Sequence, residues 1–338
     1  MEKIRVAIIG YGGIARVHNT AYSKLVSDGY PVELVAVCEK DFARVNTKLN
    51  FNLGGEDTPL PPDIHLYSDI EELIAKENFD VADVCLPTFL HKDVAIRFLK
   101  AGKHVICEKP MALSSEDCDL MLNAARESGR KLMIAHCLRF DDAYNYLKEC
   151  VTSGKFGSLD NLYLDRHSIY PSWGTSFSDN SRTGGCALDT HIHDIDIAEY
   201  ILGTPESVCA VEFNCPPEYQ VVTSTLHYKN TTVIANGSWD TAYSTAFESG
   251  FRARFEKATV LLKDGVLTVK ECGKEPYSPK LAGSDYTVLE LKHLFDRITD
   301  GKESEINPPY ASRRSVRLVE LLRDSAKECK IIQTDGNI

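Results

Sequence analysis

Three side chains of this sequence have the types and spacing that proton transfer requires. Asp189 and His193 are four positions apart, so on a helix they share one face. Lys109 follows the apolar run His104–Cys107, which predicts a place at the carboxyl end of a buried strand. A carboxylate, an imidazole and an ammonium together could take up a proton and support an oxygen that gains charge. The alternative is a pair on a helix surface and a solvated lysine at a strand end.

A glycine-rich turn near the start follows an apolar run and opens a helical segment. In the pattern Gly10-x-Gly12-x-x-Ala15, the first glycine permits a tight turn and the second lets the backbone approach a pyrophosphate. Ala15 is small enough for close packing of helix on strand, and the free N–H groups of Gly13 and Ile14 would face the phosphates. The alternative is a glycine-rich turn that binds no ligand.

An acidic residue ends the second apolar run. Glu39 lies 24 positions after Ala15, where a carboxylate can accept hydrogen bonds from the ribose hydroxyls of an adenosine. The alternative is a solvated carboxylate, and the adjacent Lys40 leaves room for a 2′-phosphate. We therefore expect NAD as the cofactor, with NADP left open.

The first 136 residues alternate short apolar runs with segments of helical period. The runs are Val6–Ile9, Val32–Cys38, Val81–Leu86, His104–Cys107 and Lys131–Ala135. Because they are apolar without alternation, they predict strands buried on both faces of a parallel sheet. Leu120, Ala124 and Ala125 fall on one face of the predicted helix Ser115–Glu127. Residues 1–136 are thus predicted to form a doubly wound, Rossmann-type α/β domain.

The pattern changes over residues 137–338. A helix-like stretch, Ala187–Leu202, precedes successive strands from Ser207 to Glu271, with a hairpin turn at Asp264-Gly265. Two amphipathic helices follow near the C-terminus. We predict an α+β domain with a large, mostly antiparallel, open sheet that binds substrate and mediates oligomerisation. Too few helices are available to cover both faces of that sheet, so we expect a homodimer or a dimer of dimers.

Composition narrows the class of protein. The 338 residues carry a formal net charge of −11, which repels phosphate backbones and makes nucleic acid an unfavourable partner. The 11 cysteines include no C-x-x-C pair and several sit in apolar runs, as expected for free thiols in a reducing compartment. The start has no signal-peptide layout, and no apolar stretch approaches about 18 residues. We expect a cytoplasmic protein without membrane spans.

The segment around Asp189 also suggests a metal site. His191, His193 and Asp194 complete the pattern D-x-H-x-H-D. Two histidines at i and i+2 suit a strand or loop better than a helical site, and no cysteine or glutamate cluster completes a coordination shell. We therefore expect no metal.

Four segments together resemble the glucose-fructose oxidoreductase/inositol dehydrogenase (Gfo/Idh/MocA) family. Cys107-Glu108-Lys109-Pro110 is similar to the family's E-K-P signature, and Gly184–Gly203 to its G-G-x-x-x-D-x-x-x-H-D segment. LPTFLH at 86–91 resembles the turn beside the nicotinamide, and AHCLRF at 135–140 resembles the crossover into the second domain. The resemblance implies a Rossmann domain, NAD or NADP, and oxidation of a secondary alcohol, or reduction of the carbonyl, on a sugar, polyol or cyclitol.

The resemblance also implies roles for individual residues. His193 becomes the general base, Lys109 supports the substrate oxygen and the cofactor ribose, and Asp189 orients the group. Further cofactor contacts are implied at Leu86, Thr88, His91 and Glu108. Arg139 could hold a substrate group. From their positions rather than from the resemblance, Tyr170, Trp173 and Arg182 are predicted substrate contacts, because they border the loop Pro171–Gly185 that should roof the pocket and their aromatic rings and polar tips suit a polyol. For His91 the alternative is a cap beside the following helix, for Arg139 a brace at the domain junction, and for the last three ordinary packing.

Two other functions stay open beside the dehydrogenase. One is a dinucleotide-binding regulator that kept the fold and lost the chemistry. The other is a glycosidase that cycles a tightly held NAD. Relatives that lost the chemistry typically lose the lysine or the D-x-x-x-H pair, and both are present here.

Overall fold

The computed structural model of the chain describes residues 3–46, 58–171, 177–214, 219–240, 247–334 and 338. The strands, numbered in chain order, are β1 Ile4–Ile9, β2 Val32–Cys38, β3 His65–Tyr67, β4 Val81–Val84, β5 His104–Glu108, β6 Leu132–Ala135, β7 Leu159–Ser168, β8 Ser207–Asn214, β9 Tyr219–His227, β10 Thr232–Asp240, β11 Phe247–Phe255, β12 Ala258–Lys263, β13 Val266–Glu271 and β14 Ile332–Gln333. The α-helices are α1 Gly13–Ser27, α2 Ile70–Lys76, α3 His91–Lys100, α4 Ser115–Ser128, α5 Asp142–Ser153, α6 Asn180–Thr183, α7 Gly185–Asp189, α8 Ile192–Leu202, α9 Tyr286–Asp300 and α10 Pro309–Glu328.

A six-stranded parallel sheet has the order β3-β2-β1-β4-β5-β6. Every residue of β4 and β6 is buried, as expected for apolar strands covered on both faces. This sheet confirms the predicted doubly wound domain, and β2 has the predicted bounds. The strand β3 was not predicted, because its three residues are exposed or only half-buried and carry no apolar run.

The helix α4 shows how local sequence sets these elements. The Ser114 side chain accepts a hydrogen bond from the backbone N–H of Asp117, and Gly129 ends the helix in the left-handed conformation. Its buried stripe includes Cys118, Met121 and Ala124. Leu120 is 51% exposed, so the predicted helix is confirmed but Leu120 lies off its buried face.

The chain divides into two compact units. The first comprises Met1–Cys137 and Asp285–Arg313, and the second comprises Leu138–Ser284 and Arg314–Ile338. The predicted division at 136/137 differs from this at one segment, because Asp285–Arg313 belongs to the first unit. The physical reason is packing: Phe295 of α9 lies in the same apolar core as β1 and β2, and its ring is 6.2 Å from that of Tyr22.

The second unit contains an eight-stranded sheet in the order β13-β12-β11-β7-β10-β9-β8-β14. All neighbouring pairs are antiparallel except β7 with β10, which confirms the predicted mostly antiparallel sheet. The helices α7 and α8 pack against its central strands. The predicted hairpin is also confirmed, since Asp264 and Gly265 both have positive φ between β12 and β13.

The predicted helix Ala187–Leu202 is interrupted. The helix α7 ends at Asp189 and α8 begins at Ile192. The regular hydrogen-bond pattern of a helix stops at this break. The backbone N–H groups of Thr190 and His191 both donate to the carbonyl of Cys186, at 3.0 and 2.9 Å, so His191 bonds five residues back instead of four. The i, i+4 spacing of Asp189 and His193 therefore spans a junction between two helices rather than one helix face.

Ten cysteines lie in the described ranges, and all ten are free thiols. Six are buried, and burial raises the pKa of thiols such as those of Cys107 and Cys186. Among the described helices, none is both long and apolar enough to cross a membrane.

Candidate active site

The glycine turn lies at the carboxyl end of β1. Gly10 has φ +83°, and its backbone N–H donates to the carbonyl of Cys38 at 2.8 Å. A Cβ atom on Gly10 would lie 2.7 Å from Leu86 Cδ2 and 2.9 Å from the carbonyl oxygen of Cys85. Only glycine therefore fits this position, and it brings the predicted residues Gly10 and Leu86 into direct contact.

Gly12 is the N-cap of α1, and its surroundings are open. A Cβ atom there would meet nothing within 4 Å, and no side chain caps the helix start. The first N–H groups of the helix, including those of Gly13 and Ile14, are thus left for an acceptor other than a capping side chain. An open space before uncapped N–H groups at the positive end of a helix fits a pyrophosphate.

Glu39 lies half-buried beside this turn, directly after β2. Its carboxylate accepts hydrogen bonds from the backbone N–H of Tyr11 at 2.9 Å and from that of Asp41 at 3.0 Å. The predicted acidic residue is therefore placed at the glycine turn, where an adenosine ribose would lie next to the pyrophosphate.

His91 begins α3 and joins two turns. Its Nδ1 lies 2.8 Å from the carbonyl oxygen of Pro110 and its Nε2 lies 2.7 Å from that of Leu86. The side chain is buried, and burial lowers its pKa, while the two carbonyl contacts oppose that effect. Both ring nitrogens are engaged by protein carbonyls, which favours the structural alternative for His91. Thr88, also predicted as a cofactor contact, is buried in the turn before it.

Glu108 and Lys109 end β5 on the same sheet edge. Lys109 is half-buried, and its backbone N–H donates to Glu108 Oε2 at 3.1 Å. Glu108 Oε1 lies 3.2 Å from Nε2 of His18 on α1, and His18 Nδ1 lies 2.8 Å from Asp83 Oδ2 in β4. His18 and Asp83 were missed by sequence reasoning. Their signal was the acidic residue Asp83 inside the otherwise apolar run VADVCLP.

Asp189 and His193 stand out in the second unit by their exposure. They are the two half-buried residues in the run 183–199, whose other members are all buried. The run surrounds the junction of α7 and α8, and the backbone N–H of His193 donates to the carbonyl of Thr190 at 3.4 Å. The two predicted catalytic residues of this unit therefore retain access from outside its core.

Arg139, a predicted substrate contact, is buried among carboxylates. The residue is 2% exposed, and its guanidinium makes two hydrogen bonds to the Asp196 carboxylate, at 2.9 and 2.8 Å, and one to Glu199 at 3.2 Å. Glu199 is also bound by Arg314, and Ser315 donates to Asp196 at 2.9 Å. These contacts with buried carboxylates favour the bracing alternative for Arg139 over a substrate contact.

The other members of the D-x-H-x-H-D pattern are held by protein partners. Asp194 is fully buried and forms a two-fold ion pair with Arg166 at 2.9 and 3.0 Å. His191 is fully buried, and its Nε2 lies 2.7 Å from the Ser224 hydroxyl oxygen. Burial, with a smaller contribution from Arg166, lowers the pKa of His191 to about 3. These ligand atoms face separate partners rather than a common centre.

An aromatic cluster lies near the predicted roof loop. Tyr170 meets Trp239 edge to face at 5.9 Å, Phe177 does so at 5.8 Å, and the indole N–H of Trp239 donates to Thr190 Oγ1 at 2.7 Å. Trp239 was missed by sequence reasoning, although it lies within the predicted run of strands from Ser207 to Glu271. Half-buried Arg182 lies on α6, and the predicted contact Trp173 lies outside the described residues.

A doubly wound sheet with an uncapped glycine turn at its carboxyl edge defines the first unit as a dinucleotide-binding domain. Residues 4–136 match the family described as "Oxidoreductase family, NAD-binding Rossmann fold", and residues 144–261 match "GFO/IDH/MocA C-terminal domain". The chain belongs to the Gfo/Idh/MocA family of oxidoreductases.

Individual relatives match more narrowly. D-glucoside 3-dehydrogenase of Escherichia coli K12 is 31% identical over 60% of this chain and 55% of its own length. Myo-inositol 2-dehydrogenase of Thermotoga maritima is 30% identical over 59% of this chain and 55% of its own. The chain thus spans about half the length of these relatives. The solved structure of the aldose-aldose oxidoreductase of Caulobacter crescentus, complexed with glycerol, superposes with a TM-score of 0.84. The match covers 98% of this chain and 100% of that protein's chain at 22% identity, which shows that the fold is shared.

Proposed function

We propose that the protein is an NAD-dependent oxidoreductase that interconverts a secondary alcohol and its carbonyl on a sugar, polyol or cyclitol. The observation that carries this is Lys109, half-buried at the end of β5 on the sheet edge that also bears the open glycine turn. A cation at that edge lies where doubly wound domains present their ligands. Relatives named as glucoside and inositol dehydrogenases support the substrate class.

The residues divide the chemistry between them. When bound, the nicotinamide accepts a hydride from the alcohol carbon or returns one to the carbonyl. We assign the uptake of the hydroxyl proton to His193 and the orientation of its ring to Asp189. Lys109 supports the substrate oxygen as its charge changes, because an ammonium stabilises a developing alkoxide. Support for these roles comes from the family resemblance and from the exposure of Asp189 and His193 in a buried run.

The cofactor is held by the glycine turn and by Glu39. The N–H groups of Gly13 and Ile14 would bind the pyrophosphate, and the space before Gly12 leaves room for it. Glu39 would accept from the ribose hydroxyls, which favours NAD over NADP. His91 is assigned to positioning Leu86 and Pro110 rather than to the cofactor itself.

We further propose that the protein is cytoplasmic and assembles as a homo-oligomer. Free, mostly buried thiols suit a reducing compartment. One face of the eight-stranded sheet is packed by α7 and α8, while Val211 and Phe213 on β8 are 57% and 63% exposed. An apolar sheet face of this kind is typical of an interface between copies of one chain.

The test begins with a search for the substrate. Purified protein is incubated with NAD and a panel of polyols, aldoses, glycosides and inositols, and NADH is followed by its absorbance. Turnover of the active compound is then measured in His193→Ala, Lys109→Ala and Asp189→Asn, beside calorimetric NAD binding.

We expect losses of at least about 100-fold in His193→Ala and Lys109→Ala, the scale of a lost general base or oxyanion donor, with NAD affinity nearly unchanged. Asp189→Asn should be milder, because an amide can still orient a neighbour. Near-parental turnover in His193→Ala would remove the assigned base. NAD binding without net NADH formation on any compound would instead favour the regulator or the NAD-cycling glycosidase.

A further inference from the structure

A cluster of charged side chains is buried inside the first unit. Asp83 is 0% exposed, His18 is 1% exposed and Glu108 is 7% exposed. The imidazole of His18 lies between the two carboxylates, with Nδ1 at 2.8 Å from Asp83 and Nε2 at 3.2 Å from Glu108. A second donor, the Tyr22 hydroxyl, binds Asp83 at 2.7 Å. Ionisable groups are rarely buried so deeply unless they are paired.

The surroundings of His18 favour its charged form. Its Nδ1 is hydrogen-bonded to Asp83 Oδ2 and its Nε2 lies 3.2 Å from Glu108 Oε1, so an imidazolium would lie between two carboxylates and could donate to both. Burial alone would lower the pKa of His18, but the charge of Asp83 and its hydrogen bond outweigh burial and raise it well above the ordinary value. Among the described residues, the other titratable groups facing the cluster are Tyr22, Cys85, Cys107 from the next strand and, from α9, the buried carboxyl of Glu290, whose charge acts on Tyr22.

The cluster is complete without a metal ion. His18, Asp83 and Cys85 could offer three ligand atoms within 4.8 Å of one another. However, Asp83 already accepts from His18 and Tyr22 on one oxygen and from the Cys85 thiol at 3.4 Å on the other. These three protein donors already hold the Asp83 carboxylate, which favours an ion-pair cluster over a metal site.

The contacts form a continuous path along the carboxyl edge of the parallel sheet, the edge that bears the glycine turn. It starts at α1, the helix that follows the glycine turn, crosses from His18 to Glu108, and ends where Glu108 Oε2 accepts from the backbone N–H of Lys109. Buried ion pairs are often no more stabilising than apolar residues of similar volume. A charge-assisted path that ends at the assigned oxygen-supporting lysine is therefore better explained by orientation than by stability.

We propose that His18 is a positioning residue: its imidazolium holds Glu108, and Glu108 fixes the backbone from which the Lys109 side chain extends. This inference rests on the catalytic role proposed for Lys109. It assigns His18 no contact with substrate or cofactor. Loss of the imidazolium should therefore leave NAD binding in place and misplace the ammonium, which lowers turnover rather than affinity.

The test compares His18→Gln with Tyr22→Phe as a matched control. Both variants remove one hydrogen bond to Asp83, but only His18→Gln removes the cation between Asp83 and Glu108. We expect kcat to fall roughly 10- to 100-fold in His18→Gln, the scale known for groups that orient a metal ligand, with the Kd for NAD within about twofold of the parent. Tyr22→Phe should keep kcat near the parental value even where its melting temperature falls.

A second readout needs no catalysis. Nuclear magnetic resonance of the histidine rings in the parent protein should show one imidazole, absent from His18→Gln, still doubly protonated at pH 8, where an ordinary imidazole with a pKa of about 6.5 is neutral. A neutral His18 ring at pH 8 would overturn the proposal. If His18→Gln fails to fold, sequential assignment of the parent protein identifies the His18 ring, and its protonation at pH 8 still decides.

The kinetic outcomes separate the two proposals. Equal losses of kcat in Tyr22→Phe and His18→Gln would reduce His18 to a structural role and overturn the positioning proposal. Parental kcat in His18→Gln, with an inactive Lys109→Ala, would overturn it as well while leaving the proposed function intact. Parental kcat in Lys109→Ala would contradict the catalytic role of Lys109 itself.

Discussion

The predicted preference for NAD over NADP depends on Glu39. Its carboxylate is already fixed by the backbone N–H groups of Tyr11 and Asp41, at 2.9 and 3.0 Å, so a 2′-phosphate would meet a negative charge that cannot swing away freely. We predict that NAD binds more tightly than NADP, and that Glu39→Ser narrows the gap. Glu33→Ser, which changes a half-buried glutamate of the same strand, should keep the parental ratio. Calorimetric titration checks this, and tighter binding of NADP to the parent would contradict it.

His191 makes the second unit sensitive to acid. Its folded-state pKa, about 3, lies below the ordinary value of about 6.5, so between these values the unfolded chain binds a proton that the folded chain does not. Stability is therefore lost as the pH falls through this window, by about 2 kcal/mol between pH 7 and pH 5 for this one group. His104, with a pKa lowered to about 4, acts in the same direction, whereas His18 acts in the opposite one.

The measurement is urea unfolding at pH 7 and pH 5. The loss of free energy of unfolding between the two pH values should be smaller by about 2 kcal/mol in His191→Gln than in the parent. His227→Gln, which changes a half-buried histidine of the same sheet, should retain the parental difference. An unchanged difference in His191→Gln would show that this ring is not held neutral.

At the residue scale, the positions of most residues assigned to the cofactor were predicted from the sequence, because each of them follows a recognisable strand. Gly10, Gly12, Glu39 and Lys109 all lie at carboxyl ends of strands of one parallel sheet. The sequence could not choose between a substrate contact and a brace for Arg139, because the carboxylates that bind it, at positions 196 and 199, are about 60 residues away in the chain. Long-range polar partners leave no local pattern in a single sequence.

The turn between β1 and α1 offers a pair of matched substitutions at the scale of the element. Gly10→Ala places a methyl group 2.7 Å from Leu86 and forces an L-residue to φ +83°, which should cost roughly 2–4 kcal/mol of stability. Gly12→Ala meets no atom within 4 Å and keeps an ordinary φ of −85°, so its stability should stay within about 0.5 kcal/mol of the parent.

For NAD binding the order should be reversed, so that Gly12→Ala impairs binding more than Gly10→Ala does. The methyl group of Gly12→Ala fills the space assigned to the pyrophosphate, so a stable protein should bind NAD weakly. Thermal unfolding with and without NAD separates the two effects, because a bound ligand raises the melting temperature. A Gly12→Ala protein stabilised by NAD as strongly as the parent would contradict the assigned phosphate position.

Elements were predicted well where periodicity was strong and poorly where tertiary contacts decided. The run VELVAVC gave β2 with its observed bounds, and the Asp264-Gly265 turn placed the hairpin. The prediction of one continuous helix over Ala187–Leu202 was wrong. The helical pattern continues across Thr190 and His191, but their side chains bind the sheet residues Trp239 and Ser224. The residue pattern of one segment does not show where contacts with neighbouring strands break its helix.

At the scale of the whole molecule, the open face of the eight-stranded sheet predicts self-association. We expect light scattering at micromolar concentration to give a dimer or a tetramer. Phe213→Lys places a charge on the exposed face of β8 and should shift the mass toward the monomer. Leu120→Lys, which charges another exposed apolar residue, a leucine on α4, should not shift it. A monomeric parent would contradict this assembly.

The composition of the units was only partly predictable at this scale. The sequence changes character near residue 136, and the first segment of the first unit ends at Cys137. The return of Asp285–Arg313 to that unit follows from side-chain packing, as when the Tyr30 hydroxyl donates to Asp296 at 2.8 Å across 266 positions. The amphipathic pattern of α9 shows that it covers a sheet, but not which of the two sheets it covers.

Direct transfer of hydrogen to the cofactor tests the central claim most closely. The active compound from the substrate panel is prepared with deuterium on the reacting carbon and incubated with NAD and the parent protein, and the recovered dinucleotide is examined by mass spectrometry. We predict one deuterium per NADH formed in the parent, and at least about 100-fold less labelled NADH in the same incubation time in Lys109→Ala and His193→Ala at equal NAD occupancy. A parent protein that binds NAD and the labelled compound but transfers no deuterium would contradict the account.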